Sequence, residues 1–66
     1  MEKNYKLSVP EIHERIRIDK YIARFIENAS RTKVQKAIDM GNVTVNGDII
    51  RSNYIVKPYD EIDIDL

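Results

Sequence analysis

Apolar residues change their spacing twice along this chain. Ile12, Ile16 and Ile18 fall on one side of an alternating stretch, with His13, Arg15 and Arg17 on the other. Glu14 interrupts the apolar side, so the alternation predicts a strand only from about Arg15 onward. Residues 1–10 carry no clear period, and Pro10 restricts Val9 to an extended backbone. After Asp19 the period lengthens. Ile22, Phe25, Ile26 and Ala29 follow an i, i+3, i+4, i+7 spacing, which puts them on one face of a helix. Asp19 occupies the N-cap position of that helix, whose predicted span is Lys20 to Asn28. Ser30 is a second N-cap. It opens a helix over Arg31 to Met40 with Val34, Ala37 and Ile38 as its apolar face, and Gly41 supplies the left-handed residue that ends it.

The period then shortens to two. Val43 and Val45 alternate with Asn42 and Thr44, and Asn46-Gly47 is a two-residue hairpin signal because a type I′ turn needs positive φ twice. Asp48 to Ile50 is expected to return antiparallel. Tyr54, Ile55 and Val56 lead into a turn at Lys57-Pro58-Tyr59-Asp60. Ile62, Ile64 and Leu66 then alternate with Asp63 and Asp65, which predicts a half-buried strand with an acidic outer face. Strand, helix, helix and several short strands, in that order, predict an α+β fold. The helix pair should pack on one face of a small antiparallel sheet. Residues 1–13 read as an N-terminal extension and 14–66 as the domain.

The 66 residues allow one small domain with a modest core. A self-contained enzyme is not expected, because a pocket and the side chains that support it need more chain. There is no cysteine, so neither a disulfide nor a thiolate zinc site is available, and one histidine cannot build a metal site alone. No apolar run reaches the roughly 18 to 20 residues of a membrane span, and the polar start from Met1 to Lys6 has no secretory apolar segment. The expectation is a cytoplasmic monomer without cofactor, metal or membrane partner.

Formal charge is zero, with 11 basic and 11 acidic residues. The total conceals a segregation. Arg15, Arg17, Lys20, Arg24, Arg31, Lys33 and Lys36 are answered within their stretch only by Asp19 and Glu27, a net of +5. From Pro58 onward there are four acids and no base. Burying Val34, Ala37 and Ile38 leaves Arg31, Thr32, Lys33, Gln35 and Lys36 on the flanks and outer side of the second helix. Its first turn adds backbone N–H groups and the positive end of the helix dipole, a natural seat for a phosphate. Lys20 repeats this arrangement at the first helix, and Arg15 and Arg17 lead into it. The bland alternative is a set of solvated charges with Glu27 and Asp39 as partial partners.

The remaining groups carry less. His13 reads as a surface residue. Asp60-Glu61 and Asp63/Asp65 read as solvated charge in a turn and along a strand face, and Ser30 is explained by capping. Arg51 and Lys57 can extend a basic rim. Tyr21 and Tyr54 are expected half-buried, and Tyr5 and Tyr59 exposed. An exposed aromatic beside bases can stack on an unpaired nucleobase, although no two here are spaced as a platform.

Taken together, Arg17-Ile18-Asp19-Lys20, Ser30-Arg31 with Val34-Gln35-Lys36-Ala37-Ile38, and Gly41-Asn42-Val43-Thr44-Val45-Asn46-Gly47 resemble an S4 RNA-binding domain (alpha-L motif). The resemblance runs from about Glu14 to Leu66. It is nearest to the N-terminal domain of ribosomal large-subunit pseudouridine synthases, through the lead-in to Arg17 and the Tyr54 to Pro58 segment. One departure is Tyr59, where the family usually places Gly, and it bears on the conformation of the last turn. The resemblance implies that Ser30 and Arg31 approach an RNA backbone, that Lys33 and Lys36 hold phosphates, and that Arg17 and Lys20 complete the surface. It also implies ribosomal RNA as partner and an attached synthase domain that carries the catalytic aspartate. The alternatives are an independent ribosome-associated RNA-binding protein, or a protein-interaction domain of the same fold without RNA binding.

Overall fold

A computed structural model describes residues 4–27 and 29–66. In chain order the elements are β1 (Asn4–Ser8), α1 (Ile18–Phe25), α2 (Arg31–Asp39), β2 (Val43–Val45), β3 (Asp48–Ile49) and β4 (Glu61–Asp65). The strands form one antiparallel sheet in the order β1-β4-β2-β3. A single core of Ile18, Ile22, Val34, Ile38, Val43, Ile62 and Ile64 joins sheet and helices, with their side chains fully or almost fully buried. This is the α+β arrangement the periods predicted.

Local chemistry placed the second half accurately. Ser30 is extended, and its Oγ accepts from the Lys33 N–H at 3.1 Å, so it caps α2 as expected. Gly41, at φ 77°, ends α2. Its N–H reaches the Ile38 carbonyl and the Asn42 N–H reaches the Ala37 carbonyl, the paired bonds of a Schellman motif. Asn46 and Gly47 hold φ of 52° and 87°, which fits the type I′ turn.

The first half differs from its prediction in three places. β1 lies in the stretch to which no element was assigned. It pairs with β4 over five positions, Asn4 opposite Asp65 through Ser8 opposite Glu61, and Val9 beyond it is buried in the core. The strand expected from Arg15 is a single bridge between Arg17 and Ile55, flanked by Ile18 N–H to the Tyr54 carbonyl and Val56 N–H to the Ile16 carbonyl. Ile16 and Ile18 are both buried, so the alternation was real, but the chain turns into α1 before a ladder can form.

The third difference is α1 itself. Its N-cap is Arg17, extended at φ −70° and ψ 145°, and Asp19 is already inside the first turn. The Ile18 N–H is taken by Tyr54, so the helix starts one residue before the local capping signal. The helix stops at Phe25 because Ile26 is extended. Ile26 and Ala29 reach the core from the link rather than from a helical face. Phe25 is left 54% exposed, with its ring 4.7 Å from that of Tyr21. Tyr21 is buried rather than half-buried. The predicted end at Asn28 lies outside the described residues.

The last turn carries strain. Asp60 N–H bonds the Lys57 carbonyl at 3.2 Å, Pro58 supplies the second position, and Tyr59 takes φ 70° at the third, the pattern of a type II turn. That region costs a residue with a β-carbon roughly 1–2 kcal/mol, which glycine would not incur.

Candidate nucleic-acid interface

The carboxylate of Asp19 organises the basic segment. Burial of the helix start removes it from water entirely, and four donors replace that water. Oδ2 accepts from Gln35 Nε2 at 2.7 Å, Arg17 Nη2 at 3.0 Å and Arg31 Nε at 3.2 Å. Oδ1 accepts from the Lys20 backbone N–H at 2.8 Å. Burial alone pushes the Asp19 carboxyl up. The bonds from Gln35, Arg31 and Lys20, with the charge of Arg17, outweigh that and hold it below its ordinary value. Asp19 is therefore neither an N-cap nor a solvated acid.

The cluster fixes two guanidinium groups without consuming them. Arg31 uses its Nε–H on Asp19, which leaves the Nη donors for a ligand, and its side chain is 50% exposed. Arg17 uses one Nη, and its side chain is 41% exposed. Two cations against one anion leave the cluster with a single net positive charge. Planar, fixed forks of this kind match phosphate oxygens.

The other predicted site residues are distributed around this centre. Ser30 is the cap, and its Oγ is occupied by the Lys33 N–H. Gln35 is half-buried and turned onto Asp19. Arg15, Lys20, Thr32, Lys33 and Lys36 are exposed, and among the described residues none of their side chains makes an ion pair. Arg31 and Lys33 lie about 160° apart around the α2 axis. The structure thus brings Arg17, Lys20, Arg31 and Gln35 together at Asp19, while Lys33 and Lys36 border a separate groove of about 240 Å³ closed by Ala37, Met40 and Leu66. Arg24 pairs with Glu14 at 3.2 Å, both exposed, a surface pair of little energetic weight.

Asp60, which the sequence places as solvated charge in a turn, is instead a second buried carboxylate. Asp60 is 5% exposed and accepts from the Tyr54 hydroxyl at 2.7 Å, Lys57 N–H at 2.9 Å and Asn46 Nδ2 at 3.1 Å. Burial opposes its ionisation, but these bonds and the Lys57 charge win, so its carboxyl lies below the ordinary value. Burial and the Asp60 bond push the Tyr54 hydroxyl up to about 12. Asn46 and Glu61 also exchange bonds, Asn46 N–H to the Glu61 carbonyl at 2.8 Å and Glu61 N–H to Asn46 Oδ1 at 3.0 Å. The hairpin tip and the last turn are one locked unit.

The acidic outer face of β4 is central in the sheet and partly answered by β1. Lys6 stands opposite Asp63, Asn4 donates to Asp65 at 2.7 Å and Ser8 donates to Glu61 at 2.7 Å. Among the described residues no group of acids and histidine is arranged to hold a metal ion, and no helix is long and apolar enough to cross a membrane.

The S4 domain family model matches residues 16–62. The chain is 46% identical over 56 residues to an uncharacterized RNA pseudouridine synthase of Chlorobaculum parvum, covering 85% of this chain and 17% of that protein. It is 40% identical over 48 residues to an uncharacterized RNA pseudouridine synthase of Bacillus subtilis, covering 73% of this chain and 16% of that protein. The chain therefore spans about a sixth of the length of these curated relatives. No solved structure matches it at a significant level.

Proposed function

The chain belongs to the S4 domain family, and from that premise we propose that it docks on structured ribosomal RNA through phosphate contacts and directs an attached pseudouridine synthase domain to its target. The observation that carries the reading is the Asp19 cluster. It holds Arg17 and Arg31 at the starts of two helices, through one Nη of Arg17 and the Nε of Arg31, with the side chains 41% and 50% exposed. Phosphate oxygens accept from such forks, and helix starts favour their charge. Lys20 adds a flexible cation at the start of α1, and Lys33 and Lys36 offer two more at the separate groove along α2. Recognition is then by backbone shape, because paired RNA hides most base edges in its deep groove. The synthase is taken from the names of the two relatives, of which this chain spans about a sixth, and the proposal places its chemistry outside this chain.

The test uses the purified chain and a ribosomal RNA hairpin in a filter-binding titration at low salt. Arg31→Ala is expected to weaken binding about 10-fold, the worth of one charge-assisted contact. Lys36→Ala, which breaks no side-chain bond among the described residues, should weaken it several-fold. Both losses should be alike across RNA sequences. Absent binding at low salt, or indifference to both substitutions, contradicts the proposal.

A further inference from the structure

Tyr59 is 70% exposed at the tip of the last turn, in a backbone conformation that side chains rarely adopt. Neither burial nor backbone geometry gives a tyrosine any advantage there. Its support, by contrast, is rigid. Tyr59 N–H bonds the Val9 carbonyl at 2.8 Å, and Val9 N–H bonds the Asp60 carbonyl at 2.9 Å. Asp60 binds Lys57, Tyr54 and Asn46 through its side chain. The ring therefore projects from a backbone that loses little freedom on binding.

The neighbourhood suits a nucleotide. Lys57 is exposed at the first position of the same turn and offers a cation for a backbone phosphate. Gly47, on the hairpin tip that Asn46 ties to Asp60, leaves open space where a β-carbon would stand. Tyr54 also links this unit to the Asp19 cluster. Its carbonyl receives the Ile18 N–H at the start of α1, and its hydroxyl reaches Asp60. Bonds made by Tyr54 thus run from the start of α1 to the turn that carries Tyr59.

We propose that Tyr59 stacks on an unpaired nucleobase of the bound RNA, with Lys57 against the adjoining phosphate. The proposal rests on the RNA-binding reading and adds a preference for looped over fully paired RNA. A tyrosine face takes any base, so the preference is for an unpaired base rather than for a sequence.

The experiment compares an RNA hairpin carrying an unpaired loop with a fully paired duplex of the same stem. Wild type, Tyr59→Phe and Tyr59→Gly are titrated with both. Tyr59→Gly relieves the backbone strain, so a normal thermal melt separates lost stacking from lost fold. The expected result is a drop of about 5- to 100-fold in the looped-to-paired affinity ratio for Tyr59→Gly, and an unchanged ratio for Tyr59→Phe. Wild type has no tryptophan, so the indole of Tyr59→Trp is the sole such reporter, and the looped RNA should quench it. An unchanged ratio in Tyr59→Gly, or no quenching with tight binding, overturns the stacking contact while leaving phosphate docking in place. Failure of wild type to bind either RNA overturns both.

Discussion

Asp19→Ala should cost this chain a large part of its stability. The carboxylate is fully buried and gathers Arg17, Lys20, Arg31 and Gln35 from two helices. Removing one side of a buried ion pair costs about 3–5 kcal/mol in general. Here the two arginines are 41% and 50% exposed and can turn to water, so the expected loss is smaller, about 2–3 kcal/mol. A chain of this size holds roughly 3–10 kcal/mol in total. A circular-dichroism melt should therefore fall by about 10–20 °C. A melt within a few degrees of wild type would show that the cluster does not hold the helices together.

The same carboxylate gives acid sensitivity a definite sign. Asp19 and Asp60 both lie below their ordinary value of 3.8 in the folded chain. Their contribution is present above that value and is lost as pH falls through the lower folded values, because protonation then favours the unfolded chain. Asp19→Asn should start less stable and lose less on acidification than wild type.

Asp60→Ala is the second large effect, expected at about 2 kcal/mol, because it strands the Lys57 N–H, the Tyr54 hydroxyl and Asn46 Nδ2 together. It also has a spectroscopic signature. The Tyr54 hydroxyl, raised to about 12 by burial and by Asp60, should titrate closer to 10.0 once the aspartate is gone. In wild type the raised value means that Tyr54 supports the fold fully below pH 10.0 and loses that support as pH rises through about 12. Ultraviolet titration of tyrosinate formation reads this directly, and an unshifted titration would remove Asp60 as the partner.

These two aspartates also mark where sequence reasoning reached its limit. Ser30, Gly41 and Asn46-Gly47 were legible because each acts on backbone groups within a few residues. Asp19 carried the same local signal as Ser30, but its partners Arg31 and Gln35 stand 12 and 16 residues away, and Tyr54 took the amide that sets the helix start. Asp60 depends on Asn46, 14 residues back. β1 was missed for a related reason. Tyr5 and Leu7 do alternate with polar neighbours, but five residues are a weak signal until β4 lies alongside them. The cations of the proposed site are those that charge segregation and family resemblance single out. That Arg17 and Arg31 form a fixed pair whereas Lys33 and Lys36 stand apart at a groove required the packing of the helices.

A basic surface that grips RNA by its phosphates must loosen as salt rises. Arg17, Lys20, Arg31, Lys33 and Lys36 offer up to five phosphate contacts. The logarithm of the binding constant for a ribosomal RNA hairpin should then fall against the logarithm of salt with a slope of about −3 to −4. Affinity should drop about 100-fold between 50 and 200 mM salt. A slope near zero, or no binding at 50 mM, would mean that phosphates are not what this surface holds.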